Sequence, residues 1–146
     1  MTYGFYFAYG SNMNEAQIRK RCPASHFICR ATLPDHRFVI TSRGYASVRK
    51  QPGATAHGML IAVTETDERS LDRYERIAEK IYRRDTLEVT TELGHRIPAL
   101  IYIDDIGGEG PPAKGYLERI IDGARRHELP AAAIAELEGW AEATKQ

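Results

Sequence analysis

Two rhythms of apolar positions divide the chain. Residues 3 to 9, Tyr-Gly-Phe-Tyr-Phe-Ala-Tyr, run almost without a polar break, the pattern of a strand buried on both faces. The run stops at Gly10-Ser11-Asn12. Asn12 has Glu15 three places on, the spacing of a capping box, and Pro23 limits the next helix near residue 21. Three short β-branched and aromatic runs, HRFVITS at 36 to 42, YASVRK at 45 to 50 and AHGMLIAVT at 56 to 64, predict three more strands. The rhythm then changes. Leu71, Tyr74, Ile77 and Ala78 recur at helical spacing, which predicts a helix over roughly 67 to 77 capped by Thr66 or Asp67. Thr86 to Thr91 and Ile97 to Ile103 read as a hairpin turning at Leu93-Gly94-His95. GGEGPP at 107 to 112 has the composition of a mobile loop. Tyr116, Leu117, Ile120, Ile121 and Ala124 mark an amphipathic helix, and Pro130 opens another carrying Ile134, Leu137 and Trp140. Strands interrupted by one helix and closed by two do not make βα alternation, so the fold class is α+β.

Length and charge narrow the function. The 146 residues suit one domain, 1 to 146. The 20 basic and 20 acidic residues cancel, so no positive field is available to hold nucleic acid. No window approaches the ~18 apolar residues of a membrane helix, and the N-terminus lacks the form of a signal peptide. The expectation is a soluble cytoplasmic protein with a small-molecule partner, and oligomeric state is not legible. Cys22 and Cys29 match no zinc or redox spacing and read as reduced structural thiols. The five histidines are scattered, so no metal is expected.

Two places could carry chemistry. A glycine where a strand turns into a helix allows unusual backbone conformations and leaves N–H groups facing outward, a natural anion cradle. Gly-Ser-Asn is also ordinary turn chemistry, and the P-loop Gly-Lys-Ser/Thr is absent. Glu75 falls at the border of the arc formed by Leu71, Tyr74, Ile77 and Ala78, while Asp72, Arg73, Arg76 and Glu79 point further toward water. A carboxylate there is partly desolvated, with a raised pKa suited to a base near neutrality. The plainer alternative is a boundary glutamate paired with Arg76 or Lys80. Arg83 and Arg84 read as the solvated side of a strand or as a clamp for a carboxylate. Tyr116 reads as core or as a group needing a hydroxyl partner.

Taken together and in order, FAYGSNM at 7 to 13, ATLPDHRFVITS at 31 to 42, AHGMLIAVT at 56 to 64, SLDRYERI at 70 to 77 with Tyr82 seven places after Glu75, and GYLERIIDGARRHELP at 115 to 130 resemble the gamma-glutamylcyclotransferase superfamily, which includes AIG2-like proteins and gamma-glutamylamine cyclotransferases. The resemblance implies a small mixed β-barrel with surrounding helices. It makes Glu75 the catalytic base and places Tyr9, Gly10, Ser11, Asn12, Tyr82 and Tyr116 around the substrate. The implied reaction needs no cofactor. The α-amine of a γ-glutamyl amino acid or γ-glutamyl amine attacks its own γ-carbonyl, giving 5-oxoproline and a free amine. The N–H groups of residues 10 to 12 would meet either the substrate α-carboxylate or the oxyanion. A non-catalytic member that keeps the pocket for binding or docking is the alternative class. One departure bears on substrate identity: Arg76 stands where many relatives have glycine.

Overall fold

The computed structural model describes residues 2–143. β1 (Tyr3–Ala8), α1 (Glu15–Arg21), β2 (His26–Ile40), β3 (Ala46–Thr64), α2 (Glu65–Tyr74), β4 (Arg83–Thr91), β5 (Arg96–Ile103), α3 (Tyr116–Arg126) and α4 (Ala131–Ala143) succeed one another in the chain. The strands close into a barrel in the order β1-β3-β2-β4-β5. All neighbours are antiparallel except β1 and β5, which meet in parallel at Tyr6 and Leu100. This is the mixed α+β barrel expected. Phe7, Ile40, Leu60, Ile61 and Ile101 are fully buried in the hydrophobic core, some inside the barrel and their strand neighbours on its outer face beneath the helices and loops.

The strands are longer and fewer than the sequence pattern suggests. β2 and β3 form one long hairpin from Ile40 opposite Ala46 to His26 opposite Ala62. Pro34 does not end β2, because the register shifts between Pro34 and His36 and the missing N–H falls at an irregularity where no ladder bond is needed. Asp35 sits there at φ 59°, and its carboxylate accepts from the Gly53 N–H at 2.9 Å. The two runs at 45–50 and 56–64 are therefore one strand. β1 is buried only in its second half, for Tyr3 and Phe5 are 41% and 42% exposed. A run with aromatics on both faces carries no alternation from which to read that difference.

Helix starts also move. Asn12 lies in a single 3₁₀ turn (Ser11–Met13), and Asn14 caps α1 by accepting from the Gln17 N–H at 3.3 Å. α2 is capped by Thr64, not by Thr66 or Asp67. The Thr64 hydroxyl accepts from the Asp67 N–H and the buried Asp67 carboxylate accepts from the Thr64 N–H, both at 3.1 Å, a complete capping box. The 107–112 segment is tied down: Gly110 N–H donates to the Ile40 carbonyl and the Ser42 hydroxyl to the Gly107 carbonyl. Both cysteines are free, and burial pushes the Cys22 thiol up to about 12.

Candidate active site

Five segments meet at one end of the barrel: the turn after β1, the first residue of β3, the end of α2, Tyr82 just before β4, and Tyr116 at the start of α3. The β1 turn is held from beneath. Asn12 is 3% exposed; its amide nitrogen donates to the Tyr6 hydroxyl at 3.0 Å, and its amide oxygen accepts from Gln17 at 3.0 Å and Arg21 at 3.2 Å. Gln17 also donates to the Ser11 hydroxyl at 2.6 Å. The first backbone bonds after the strand are Met13 N–H to the Gly10 carbonyl and Asn14 N–H to the Ser11 carbonyl. The N–H groups of Gly10, Ser11 and Asn12 thus have no acceptor among the described residues. Gly10 has φ −117°, outside the left-handed region. A Cβ there would just touch the wall, 3.4 Å from the Tyr116 hydroxyl and 3.4 Å from Ala46 Cβ.

Glu75 is placed by the way α2 ends. The Arg76 N–H donates to the Arg73 carbonyl and the Ile77 N–H to the Asp72 carbonyl, a Schellman closure with Glu75 as C-cap. That closure requires a left-handed residue next, and Arg76 takes φ 53°. Glycine suits the position, and a side chain there costs about 1 kcal/mol. The helix therefore stops at Tyr74, and helical spacing no longer describes residues 75 to 78. Tyr74 is 53% exposed, while Asp72 turns inward to accept from the Tyr102 hydroxyl at 2.7 Å. Burial nevertheless acts on Glu75 as expected. Desolvation pushes its carboxyl up to about 7, opposed by the charge of Arg21. The carboxylate accepts no hydrogen bond and forms no ion pair with Arg76, Lys80 or any other described residue.

An inner cavity of about 30 Å³ is walled by Glu75, the Gly10–Asn12 turn, Ala46 and five tyrosines: Tyr6, Tyr9, Tyr82, Tyr102 and Tyr116. It shares Ser11, Glu75, Tyr82 and Tyr116 with an outer cavity of about 360 Å³, which adds Arg21, Arg76 and Arg119. Glu75 stands where the two join. The tyrosines fix the walls: the Tyr82 hydroxyl donates to the Ala46 carbonyl at 2.6 Å, and the Tyr116 hydroxyl accepts from the Ala46 N–H at 3.0 Å. Tyr9 donates to the Tyr102 carbonyl at 2.5 Å. Burial is the leading cause raising Tyr6, Tyr9, Tyr82, Tyr102 and Tyr116, so these phenols stay protonated through neutrality. They give the cavity a neutral lining around one carboxylate.

Residues 6–118 match the family described as Gamma-glutamyl cyclotransferase, AIG2-like. The chain belongs to that family. Human gamma-glutamylcyclotransferase is 30% identical over 135 residues, which cover 86% of this chain and 72% of the human protein. The mouse protein of the same name is 29% identical with the same coverage. A solved structure of a gamma-glutamyl cyclotransferase superposes with a TM-score of 0.88 at 26% identity, covering 94% of this chain and 87% of the other.

Every position singled out from the family resemblance lies on the wall of this pocket: Tyr9, Gly10, Ser11, Asn12, Glu75, Tyr82 and Tyr116. The arginine clamp does not. Arg84 is engaged by Glu68 at 2.6 Å and Asp72 at 2.9 Å, and Arg83 by Asp85 and Asp105, all outside both cavities. The arginines that do face the outer cavity come from three other elements, with Arg21 at the end of α1, Arg76 after α2 and Arg119 in α3. Tyr6 and Tyr102 were missed as well. They read as ordinary strand aromatics, and nothing local distinguishes a tyrosine whose hydroxyl reaches a cavity.

Proposed function

We propose that this chain is a cofactor-free γ-glutamyl cyclotransferase with Glu75 as its base. The observation that carries the reading is the Glu75 carboxylate: unpaired, held at about 7 by desolvation, and set in the wall of the cavity that the turn with the unpartnered N–H groups also lines. A carboxylate of that pKa is both substantially ionised near neutrality and basic enough to take a proton from an ammonium group.

The ionised carboxylate takes a proton from the substrate α-ammonium. The freed nitrogen attacks the γ-carbonyl carbon, and the new C–N bond closes a five-membered lactam. The bond from that carbon to the leaving nitrogen then breaks. The two protons lost by the ammonium are the two gained by the leaving amine, so Glu75 ends as it began. Both reactants sit on one molecule, and the cavity's contribution is to fold the glutamyl chain so that amine and carbonyl meet. The N–H groups of Gly10, Ser11 and Asn12 receive the anionic part of the substrate, and the protonated tyrosines give it a neutral lining.

The nucleophile dictates the test. Incubated with γ-glutamyl amino acids and γ-glutamyl amines, the protein is expected to release 5-oxoproline and free amine in equal amounts by mass spectrometry. The same substrates acetylated on the α-nitrogen are expected to be inert. Glutamate formed from the γ-glutamyl half in place of 5-oxoproline, or cleavage of the acetylated substrates, would show hydrolysis instead and end the reading.

A further inference from the structure

We infer that the outer cavity selects a leaving group bearing two negative charges, an acidic amino acid released from a γ-glutamyl-aspartate or γ-glutamyl-glutamate type of substrate. The inference rests on the cyclotransferase reading, because Glu75 at the junction places the scissile amide there and leaves the outer cavity to the departing half.

Three guanidinium groups, Arg21, Arg76 and Arg119, line that cavity, and Glu75 is the only carboxylate among the described residues of its wall. Their concentration is not a consequence of a basic protein, since acidic and basic residues balance at 20 each. Nor is it typical of the chain's arginines, most of which are paired, as Arg19 is with Glu15, Arg30 with Glu92 and Arg125 with Glu138. Among the described residues none of the three meets a carboxylate. Arg21 donates to the Asn12 amide oxygen at 3.2 Å and lies 4.3 Å over the Tyr74 ring, an arrangement that aims a fixed charge along the cavity wall. A neutral leaving group leaves this field unanswered, a cationic one is repelled by it, and a single carboxylate answers only part of it.

Arg76 supplies an independent reason. It occupies a left-handed position that glycine fills without strain, and it is the one residue of the Schellman closure that faces the outer cavity with a positive charge. Side chains held at left-handed angles cluster at ligand clamps and active sites, although Asp35, Lys80 and Glu128 take such angles elsewhere in the chain.

The experiment compares kcat/KM for γ-glutamyl-glutamate with that for γ-glutamyl-glutamine, which has the same shape and lacks the second charge. The wild type is expected to prefer the acidic substrate by about tenfold or more, a preference that shrinks as salt is raised from about 50 to 500 mM. In R76G, where glycine relieves the backbone, the ratio of the two values is expected to fall by about fivefold or more. R119Q, which leaves the α2 closure alone, is expected to lower the same ratio. Equal rates on the two substrates, or a ratio unmoved in both variants, overturns the inference while leaving the cyclotransferase reading in place. Absence of 5-oxoproline from every substrate overturns both together.

Discussion

Glu75→Gln is expected to lower turnover by about 10² to 10⁴ fold, the usual worth of a positioned proton transfer, while making the protein more stable in mild alkali. The two effects have one origin. The cavity that raises the carboxyl to about 7 does so by disfavouring its ionised form. Because the folded state holds the proton more tightly than the unfolded chain, stability declines as pH rises from the ordinary carboxylate range of about 4.3 and the loss is complete above about 7. The amide removes that loss. Its advantage is expected to be on the order of 2 to 3 kcal/mol near pH 8 and close to zero near pH 4, measured by urea denaturation at each pH. Turnover within about threefold of wild type would remove Glu75 from the base role, however the rest of the pocket is read.

Gly123→Ala is expected to cost about 3 kcal/mol in stability and to damage the site from a distance. In α3 a Cβ at residue 123 would lie 2.6 Å from the Met13 carbonyl carbon, 2.7 Å from its oxygen and 2.8 Å from the Asn14 nitrogen. These are backbone atoms of the turn that presents Gly10–Asn12, and they have no rotamer in which to retreat. Alanine's helix preference over glycine, about 1 kcal/mol, is too small to offset the clash. The helix must back away from the turn. Tyr116 lies seven residues earlier on the same face, so the displacement loosens its contact with the Ala46 N–H at 3.0 Å and widens the cavity beside Gly10. Unfolding free energy within about 0.5 kcal/mol of wild type would mean that α3 and the turn are not packed as described.

Why the sequence revealed some of this and hid the rest is visible residue by residue. The strand-turn-helix at Tyr9 to Asn12 and the glutamate after Leu71-Asp72 were legible because short motifs carry them, and each falls on the pocket. Helical spacing accounts for the environment of Glu75 only in part. Helical spacing put it at the edge of an apolar face, yet the helix ends one residue earlier and its burial comes from the barrel end closing over it. The caps lie two or three residues before or after those the spacing suggests, because Asn12 and Asn14, or Thr64, Thr66 and Asp67, are all good caps in isolation; which one serves depends on where the preceding strand stops. The arginines show the limit most clearly. Arg83 and Arg84 are adjacent in sequence and were open to reading as a clamp, whereas Arg21, Arg76 and Arg119 converge only because α1, α2 and α3 pack around the same barrel mouth.

On the proposed function, one desolvated carboxylate performs the proton transfer. Its most direct test is the pH dependence of kcat/KM for the best γ-glutamyl substrate, which reports the ionisation of the free enzyme. An acid limb of unit slope is expected, with its midpoint at about 7, where Glu75 loses its proton. A rate flat between about pH 5 and 7, or a midpoint in the ordinary carboxylate range near 4.3, would contradict it.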